Sequence, residues 1–90
     1  MRSSARNLEF EPEAFEDLVW WIEHDMKKSR RILSLIREIQ RTPFQGTGKP
    51  EPLRGDLSGA WSRRIDKKHR IVYKVFEDKI LITAIRGHYE

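Results

Sequence analysis

Apolar residues recur with helical spacing in two neighbouring segments of the N-terminal half. In the first segment, positions i, i+3, i+4 and i+7 are apolar: Phe15, Leu18, Val19 and Ile22. In the second, over residues 28–41, the same spacing is carried by Ile32, Leu35, Ile36 and Ile39. Each pattern predicts an amphipathic helix. Glu11 and Pro12 suit the first turn of the first helix. Because little chain separates the two patterns, we predict a helical hairpin.

The pattern changes to strict alternation after residue 60, which is typical of β-strands. Two sets of residues alternate there: Trp61, Arg63 and Ile65 with Ser62, Arg64 and Asp66. Residues 66–68 then turn the chain, and the segments 69–76 and 79–86 are rich in Ile, Val, Tyr and Phe. Because only Glu77 and Asp78 separate these segments, they predict an antiparallel meander. Residues 7–10 can add a short opening strand.

Two helices followed by a run of strands indicate an α+β fold with two layers. We therefore predict an N-terminal helical hairpin packed on a twisted antiparallel sheet. A chain of 90 residues is well below the length at which hydrophobic cores divide. We expect residues 1–90 to form a single domain, in which residues 1–6 are a disordered N-terminal extension.

Strand alternation also predicts which side chains share a face of the sheet. Trp61 and Ile65 are expected to face the helices, which places Arg64 on the opposite face with Ser62. The next strand carries two sets of residues on opposite faces: Arg70, Val72 and Lys74, and Ile71, Tyr73 and Val75. If the open face carries Arg64 and Arg70, two guanidinium groups converge there. The alternative is that both are ordinary strand charges facing water.

A long, turn-rich segment separates the helices from the strands. Residues 42–59 contain three prolines and four glycines, which predict turns and no regular structure. A loop of this length in a small domain is usually functional. It carries Glu51 between two prolines, either as a solvated loop residue or as a candidate catalytic carboxylate.

Charge is distributed unevenly around the net charge of +4. Residues 1–26 carry two basic and seven acidic side chains, residues 27–42 carry six and one, and residues 54–74 carry seven and two. Basic surfaces attract phosphate polymers through counterion release. The distribution indicates a nucleic acid or an acidic protein as partner, and the alternative is a merely solvated basic surface.

Composition excludes several other classes of protein. The chain has no cysteine, so neither a disulfide nor a thiolate zinc site is available. Its histidines, His24, His69 and His88, are scattered without metal-binding spacing, and we expect no metal or other cofactor. No apolar run approaches the roughly 18 residues of a membrane span. The opening MRSSARN lacks the apolar core of a signal peptide, so we expect a cytoplasmic protein.

One block of the sequence is characteristic of a known family. The block KPEPLRGDLSGAWSRRIDKKHRIVY, the preceding RTPFQGTG and the terminal His-Tyr pair resemble the YoeB branch of the RelE superfamily. These proteins are the toxin half of bacterial toxin–antitoxin pairs, and the similarity runs from about Leu8 to Tyr89. The resemblance implies a microbial-RNase fold and a ribosome-dependent endonuclease that cleaves messenger RNA in the ribosomal A site. It also implies a homodimer, an acidic YefM-like antitoxin as inhibitor, and binding of operator DNA through that antitoxin.

The resemblance implies three catalytic residues. Glu51, in Lys-Pro-Glu-Pro, matches the general base that acts on the ribose 2′-hydroxyl. Arg70, in His-Arg-Ile-Val-Tyr, matches the arginine that stabilises the scissile phosphate. His88 matches the general acid that protonates the departing 5′-oxygen.

Three further residues match positions that bind substrate. Arg64 matches a second arginine that positions the phosphate, and Tyr89 matches the aromatic residue that helps to place the nucleotide. Arg54 stands where relatives usually carry lysine, which keeps a cation but replaces a compact ammonium with a planar fork. Ala60 stands where a larger aromatic residue is common, a difference that concerns packing.

The implied chemistry is self-consistent because RNA carries its own nucleophile, the 2′-hydroxyl, which also distinguishes it from DNA. Such an enzyme needs a base, an acid and cations around the phosphate, and its products are a 2′,3′-cyclic phosphate and a 5′-hydroxyl. The main alternative is a non-catalytic basic RNA- or DNA-binding module. A DNA-binding helix-turn-helix is a weaker hypothesis, because the arginines of the helical hairpin are not concentrated at the start of one helix. Trp20 and Trp21 fit helix–sheet packing or a dimer contact better than base stacking.

Overall fold

The structure, a computed structural model, describes residues 5–87. Within them the chain forms a five-stranded sheet and two α-helices, Pro12–His24 (α1) and Met26–Arg41 (α2). The strands are, in chain order, Asn7–Phe10 (β1), Glu51–Pro52 (β2), Ala60–Arg64 (β3), Arg70–Val75 (β4) and Lys79–Ala84 (β5). The predicted α+β class, with a helical hairpin before the meander, is confirmed.

The strands lie in the order β1-β5-β4-β3-β2 across the sheet. The pairs from β2 to β5 are antiparallel, as the meander predicts. The sheet is mixed at one edge, because β1 pairs parallel with β5, with Asn7 opposite Lys79 and Phe10 opposite Ile82. A parallel pair requires a long crossover connection, and the helices and the strands β2 to β4 together supply it.

The helix α2 buries the face that its spacing predicts, since Ile32, Leu35, Ile36 and Ile39 are all at most 3% exposed. The predicted face of α1 is wrong in part. Its Phe15 and Ile22 are 53% and 43% exposed, and the buried residues are Ala14, Leu18 and Trp21. Both sets have helical spacing, so periodicity alone leaves the rotation of the helix open. The small Ala14 side chain is fully buried, which permits close approach of α1 to the sheet.

Asp25 is the single residue between the helices, and it serves both of them. Its backbone N–H donates to the Trp21 carbonyl at 2.7 Å, which ends α1. Its side chain accepts the N–H of Lys28 at 3.0 Å, which caps the start of α2. An N-terminal cap of this kind contributes about 1 kcal/mol to helix stability. The sharp joint allows both helices to pack on the same face of the sheet.

The segment 42–59 is more ordered than its prolines and glycines predict. Glu51 and Pro52 form the edge strand β2, paired with Ser62 and Trp61. A short 3₁₀ helix, Gly55–Leu57, follows. Proline lacks an N–H, but an edge strand tolerates it because one side of that strand needs no partner. The expectation of no regular structure is therefore wrong at the position of the candidate catalytic carboxylate.

The N-terminal extension predicted for residues 1–6 overlaps the described part of the chain only at Ala5 and Arg6. Arg6 is held in place, because its Nε donates to the Phe76 carbonyl at 2.8 Å and its carbonyl accepts from Gln40 at 2.7 Å. Residues 1–4 lie outside the described residues, so the extension remains a prediction there. Between residues 5 and 87, neither helix is long and apolar enough to cross a membrane.

Candidate active site

A carboxylate, an arginine and a serine meet on the face of the sheet that points away from the helices. Nη2 of Arg70 donates to Oε1 of Glu51 at 2.7 Å, and Nη1 of Arg70 donates to Oγ of Ser62 at 2.6 Å. The side chain of Arg70 is 12% exposed and that of Glu51 is 42% exposed. The guanidinium is therefore fixed by two partners, while the carboxylate remains accessible to a ligand.

Three neighbouring strands place these groups together. Glu51 on β2 lies opposite Ser62 on β3. Arg64, two residues further along β3, lies opposite Arg70 on β4. Residues that are paired across strands and residues two apart on one strand project from the same face. This register places Arg64 and Arg70 on the same face, as the alternation predicts, and Arg64 is exposed.

The last described residue, Gly87, is held at the start of β4. Its N–H donates to Nδ1 of His69 at 3.1 Å, and its carbonyl accepts the N–H of Arg70 at 3.2 Å. His69 thus lies at a strand start near the site, as predicted. The candidate residues His88 and Tyr89 lie outside the described residues, but they follow Gly87 directly in the sequence.

The helix α1 fixes the residues that precede Gly87. Nε1 of Trp21 donates to the Ile85 carbonyl at 2.9 Å, and Asp17 accepts the N–H of Ile85 at 3.0 Å. The guanidinium of Arg86 lies 3.8 Å from the centre of the Trp20 ring, a cation–π contact.

Trp21 is 3% exposed, so the prediction of packing is confirmed for it. Its burial excludes the suggested use of Trp21 in a dimer contact.

Asp66 builds the turn that leads into His69. Its Oδ1 accepts the backbone N–H groups of Lys68 at 2.8 Å and His69 at 2.6 Å, and its Oδ2 accepts from Nζ of Lys28 at 2.8 Å. Burial disfavours the charged form, but the Lys28 ammonium and the two N–H groups outweigh it and lower the pKa of Asp66 to about 2. The turn predicted over residues 66–68 is thus stabilised by a carboxylate bound to α2.

Arg54 is exposed and lies three residues beyond Glu51, at the start of the 3₁₀ helix, where its carbonyl accepts the N–H of Leu57 at 3.3 Å. The structure therefore places it beside the site without joining it to the Glu51–Arg70 pair.

In residues 5–87 no group of three or more histidine, aspartate or glutamate side chains is arranged to hold a metal ion.

Arg63 was predicted to have only a supporting role, yet it is the largest fully buried side chain among the described residues. It lies on the helix-facing side of β3 and binds the loop that leads to Glu51. The sequence did indicate that Arg63 is buried, because strand alternation puts it on the same face as Trp61 and Ile65. A charged residue on a core-facing position must have buried partners, and these could not be identified from the sequence.

Fold and site together define a small α+β protein with an ion-paired carboxylate on the open face of its sheet. Residues 10–89 match the family model described as "YoeB-like toxin of bacterial type II toxin-antitoxin system". The toxin RelK of Mycobacterium tuberculosis is 54% identical over 84 residues, which cover 93% of this chain and 99% of RelK. The chain belongs to the YoeB-like toxin family and is a toxin of a type II toxin–antitoxin system.

Solved structures agree with this assignment. The chain is similar to a YoeB dimer from Staphylococcus aureus, with a TM-score of 0.88 and 39% identity, over 96% of this chain and all of that one. It is also similar to YoeB in a heterotetrameric YoeB–YefM complex from the same organism, with a TM-score of 0.84, 39% identity and the same coverage. The expected family and its RelE-like fold are thereby confirmed.

Proposed function

We propose that this toxin is a ribosome-dependent endoribonuclease that cleaves messenger RNA in the ribosomal A site. The observation that carries the proposal is the ion pair of Glu51 and Arg70 on the open face of the sheet, beside the exposed Arg64. The carboxylate of Glu51 is 42% exposed, so its oxygens are accessible to a substrate hydroxyl. The two arginines supply the cations that a phosphate diester requires.

The proposed reaction begins at the ribose 2′-hydroxyl. Glu51 removes its proton, and the 2′-oxygen attacks the adjacent phosphorus. Arg70 and Arg64 donate hydrogen bonds to the non-bridging oxygens, whose charge grows in the transition state. The bond from phosphorus to the 5′-oxygen then breaks, and His88 supplies the proton that the departing oxygen needs. The products are a 2′,3′-cyclic phosphate and a 5′-hydroxyl, and every step uses side chains alone, without a metal or other cofactor.

Support for the role of His88 comes from the chain immediately before it. The backbone of Gly87 is hydrogen-bonded to the His69 ring and to the Arg70 N–H. Gly87, which directly precedes His88 in the sequence, is therefore held beside the backbone of Arg70, whose guanidinium is proposed to bind the phosphate. Consecutive Cα atoms are about 3.8 Å apart. Tyr89, one residue further, is proposed to stack on a base of the substrate, and Arg54 is proposed to contact a neighbouring phosphate as a third cation.

The proposed partners follow from the family and from charge. One S. aureus relative is in a complex with YefM, and another is a YoeB dimer. We propose that this toxin likewise forms a homodimer in the cytoplasm and is inhibited by an acidic, YefM-like antitoxin. An acidic segment that folds on binding can cover a basic site. Operator DNA would be bound through the antitoxin.

The decisive experiment incubates purified protein with translating ribosomes and with naked RNA, followed by mapping of the 5′ ends. We expect cutting on ribosomes with 5′-hydroxyl ends. Glu51→Gln and His88→Gln should each lower the rate by about 10²- to 10⁴-fold, while ribosome binding is retained. Matched controls are Glu77→Gln and His24→Gln, because both residues are exposed and remote from the site in sequence.

Three outcomes would contradict parts of this proposal. Undiminished cutting by both site variants would overturn the acid–base scheme. Equal cutting of naked RNA would overturn ribosome dependence. If the unaltered protein bound RNA or ribosomes without cutting, the non-catalytic binding module would replace the enzyme.

A further inference from the structure

The guanidinium of Arg63 is fully buried between β3 and α2, and every one of its donors is used. A guanidinium has five N–H groups in a fixed plane. Nε donates to the Tyr73 hydroxyl at 3.3 Å, and Nη1 donates to a carboxylate oxygen of Glu38. The other three acceptors are backbone carbonyls of the chain that follows α2: Thr42 at 2.5 Å, Gln45 at 2.8 Å and Thr47 at 3.1 Å.

Residues 42–49, which we call the clamped loop, are also held by the two side chains that bind Arg63. The hydroxyl of Tyr73 donates to the Pro43 carbonyl at 2.6 Å. Burial raises the pKa of that hydroxyl, which keeps it protonated as a donor. Glu38 accepts the N–H of Thr47 at 2.6 Å and its hydroxyl at 3.1 Å. One network, with the buried Arg63 at its centre, therefore joins the loop to α2, β3 and β4.

Burial of Glu38 disfavours its charge, but the hydrogen bonds from Thr47 and Arg63 are stronger in effect and lower the pKa of Glu38. The carboxylate therefore stays charged opposite the buried guanidinium. A buried arginine without this partner would be strongly destabilising, because an unpaired charge in the interior is costly. The network is consequently sensitive to the loss of any of its members.

The end of the clamped loop lies directly against β3. The carbonyl of Gly48 accepts the N–H of Arg64 at 2.7 Å. Gly48 has a φ of +86°, and a Cβ there would lie 3.2 Å from Cβ of Arg63 and from Cδ2 of Leu35. Only glycine fits this close approach in that conformation. Three residues later, Glu51 pairs with Ser62 on the same strand.

We propose that Arg63 is a positioning residue that holds the clamped loop so that Glu51 meets Arg70. The preceding residue on β3, Ser62, accepts a hydrogen bond from Arg70 on the open face of the sheet. Arg63 itself donates to the clamped loop on the opposite face. One strand thus aligns both the carboxylate and the guanidinium. This inference rests on the proposed function of Glu51, which it deepens.

A purely structural role explains the contacts less well. An apolar side chain of similar volume would fill a core position without the cost of burying a charge. Three of the five acceptors of Arg63 are carbonyls of one loop, and backbone carbonyls buried in a loop require donors. The arginine therefore specifies the path of this loop, and the path of the loop determines where β2 begins.

The test compares Tyr73→Phe, Arg63→Lys and Arg63→Met with Arg37→Met as the matched control. Tyr73→Phe removes only the hydroxyl and keeps the aromatic ring, so it breaks the link between Arg63 and Pro43 with the smallest change to the core. Lysine keeps the charge at position 63 with three donors instead of five. Arg37 is exposed on α2, so its substitution changes charge without touching the network.

Two quantities are measured on each folded variant: amide hydrogen exchange of the clamped loop, and kcat and KM for cleavage on ribosomes. We expect faster loop exchange and a kcat lower by on the order of 10²-fold in Arg63→Met, with KM within about twofold. The kcat of Arg63→Lys should be higher than that of Arg63→Met but lower than that of the unaltered protein. The loss of kcat in Tyr73→Phe should be smaller than the loss in either variant of Arg63. Arg37→Met should match the unaltered protein in loop exchange and kcat.

Loop exchange that increases while kcat stays unchanged would overturn the positioning role. So would a kcat that falls while loop exchange remains at the original rate. If the position 63 variants do not fold, Tyr73→Phe decides between these outcomes. A failure of the proposed function is recognised separately, because it would abolish cleavage by the unaltered protein while leaving its loop exchange slow.

Discussion

Nδ1 of His69 accepts a hydrogen bond from the backbone N–H of Gly87, 3.1 Å away. The contact joins the start of β4 to the end of the described chain, where the sequence continues into His88 and Tyr89. The ring of His69 also meets Trp21 edge to face, with 5.0 Å between ring centres. A histidine that was predicted only to lie near the site therefore supports both the core and the chain end.

Replacing His69 with phenylalanine tests this support. The new ring keeps the contact with Trp21 but cannot accept the Gly87 N–H. Because misplacement of a catalytic group by about 1 Å can cost 10²-fold in rate, we expect cleavage on ribosomes to fall by about that factor. The melting temperature should change little, and His24→Phe, at an exposed position on α1, is the control. Full activity of His69→Phe would show that the Gly87 contact does not govern the proposed acid.

The Asp66–Lys28 contact predicts a specific loss of stability in acid. The pKa of Asp66 is lowered from 3.8 to about 2 in the folded protein. Because this value lies below that of the unfolded chain, the stabilisation is complete above about pH 4 and is lost as the pH falls toward 2. The full effect corresponds to about 2 kcal/mol.

Urea unfolding between pH 2 and pH 7 measures that loss. Asp66→Asn should be less stable than the unaltered protein at pH 7, and the difference should shrink toward pH 2. Asp78→Asn, at an exposed turn, should show no such convergence. A constant difference between Asp66→Asn and the unaltered protein across this range would contradict the assignment.

The rotation of α1 gives a third prediction, on stability. Trp21 is 3% exposed and Phe15 is 53% exposed. Truncation of a buried large aromatic costs about 3 to 5 kcal/mol, whereas an exposed one costs about 1 kcal/mol or less. Trp21→Ala should therefore lower the free energy of unfolding far more than Phe15→Ala in the same urea titration. Equal losses would indicate that α1 packs with the face first inferred from its spacing.

Strand alternation was the most reliable guide to the site. Side chains on a strand alternate between the two faces of the sheet with a period of two. The sequence alone therefore predicted that Arg64 and Arg70 lie on one face and that Tyr73 lies on the other. The register adds that Arg64 lies directly opposite Arg70. Helical periodicity was less decisive, because Phe15 and Ile22 belong to one face with helical spacing and Ala14 and Trp21 to another.

Contacts between distant segments were the part that sequence could not supply. The pairing of β1 with β5 joins residues about 70 positions apart, and no local pattern specifies such a partner. The 2.7 Å contact of Glu51 with Arg70 depends on the edge strand β2, which forms in a segment that its prolines and glycines mark as irregular. The five acceptors of Arg63 come from three different parts of the chain: α2, the clamped loop and β4.

The sequence by itself determined the two helices, the strands β1, β3, β4 and β5, the faces of β3 and β4 and, through one characteristic block, the family. Those features depend on local periodicity and on residue identity, which are written along the chain. Only the tertiary structure decided how α1 is rotated, where β1 pairs, and that Glu51 reaches Arg70 while Arg63 holds the loop behind it. These relationships arise from packing and from buried hydrogen bonds, whose free energy depends on all partners being present at once.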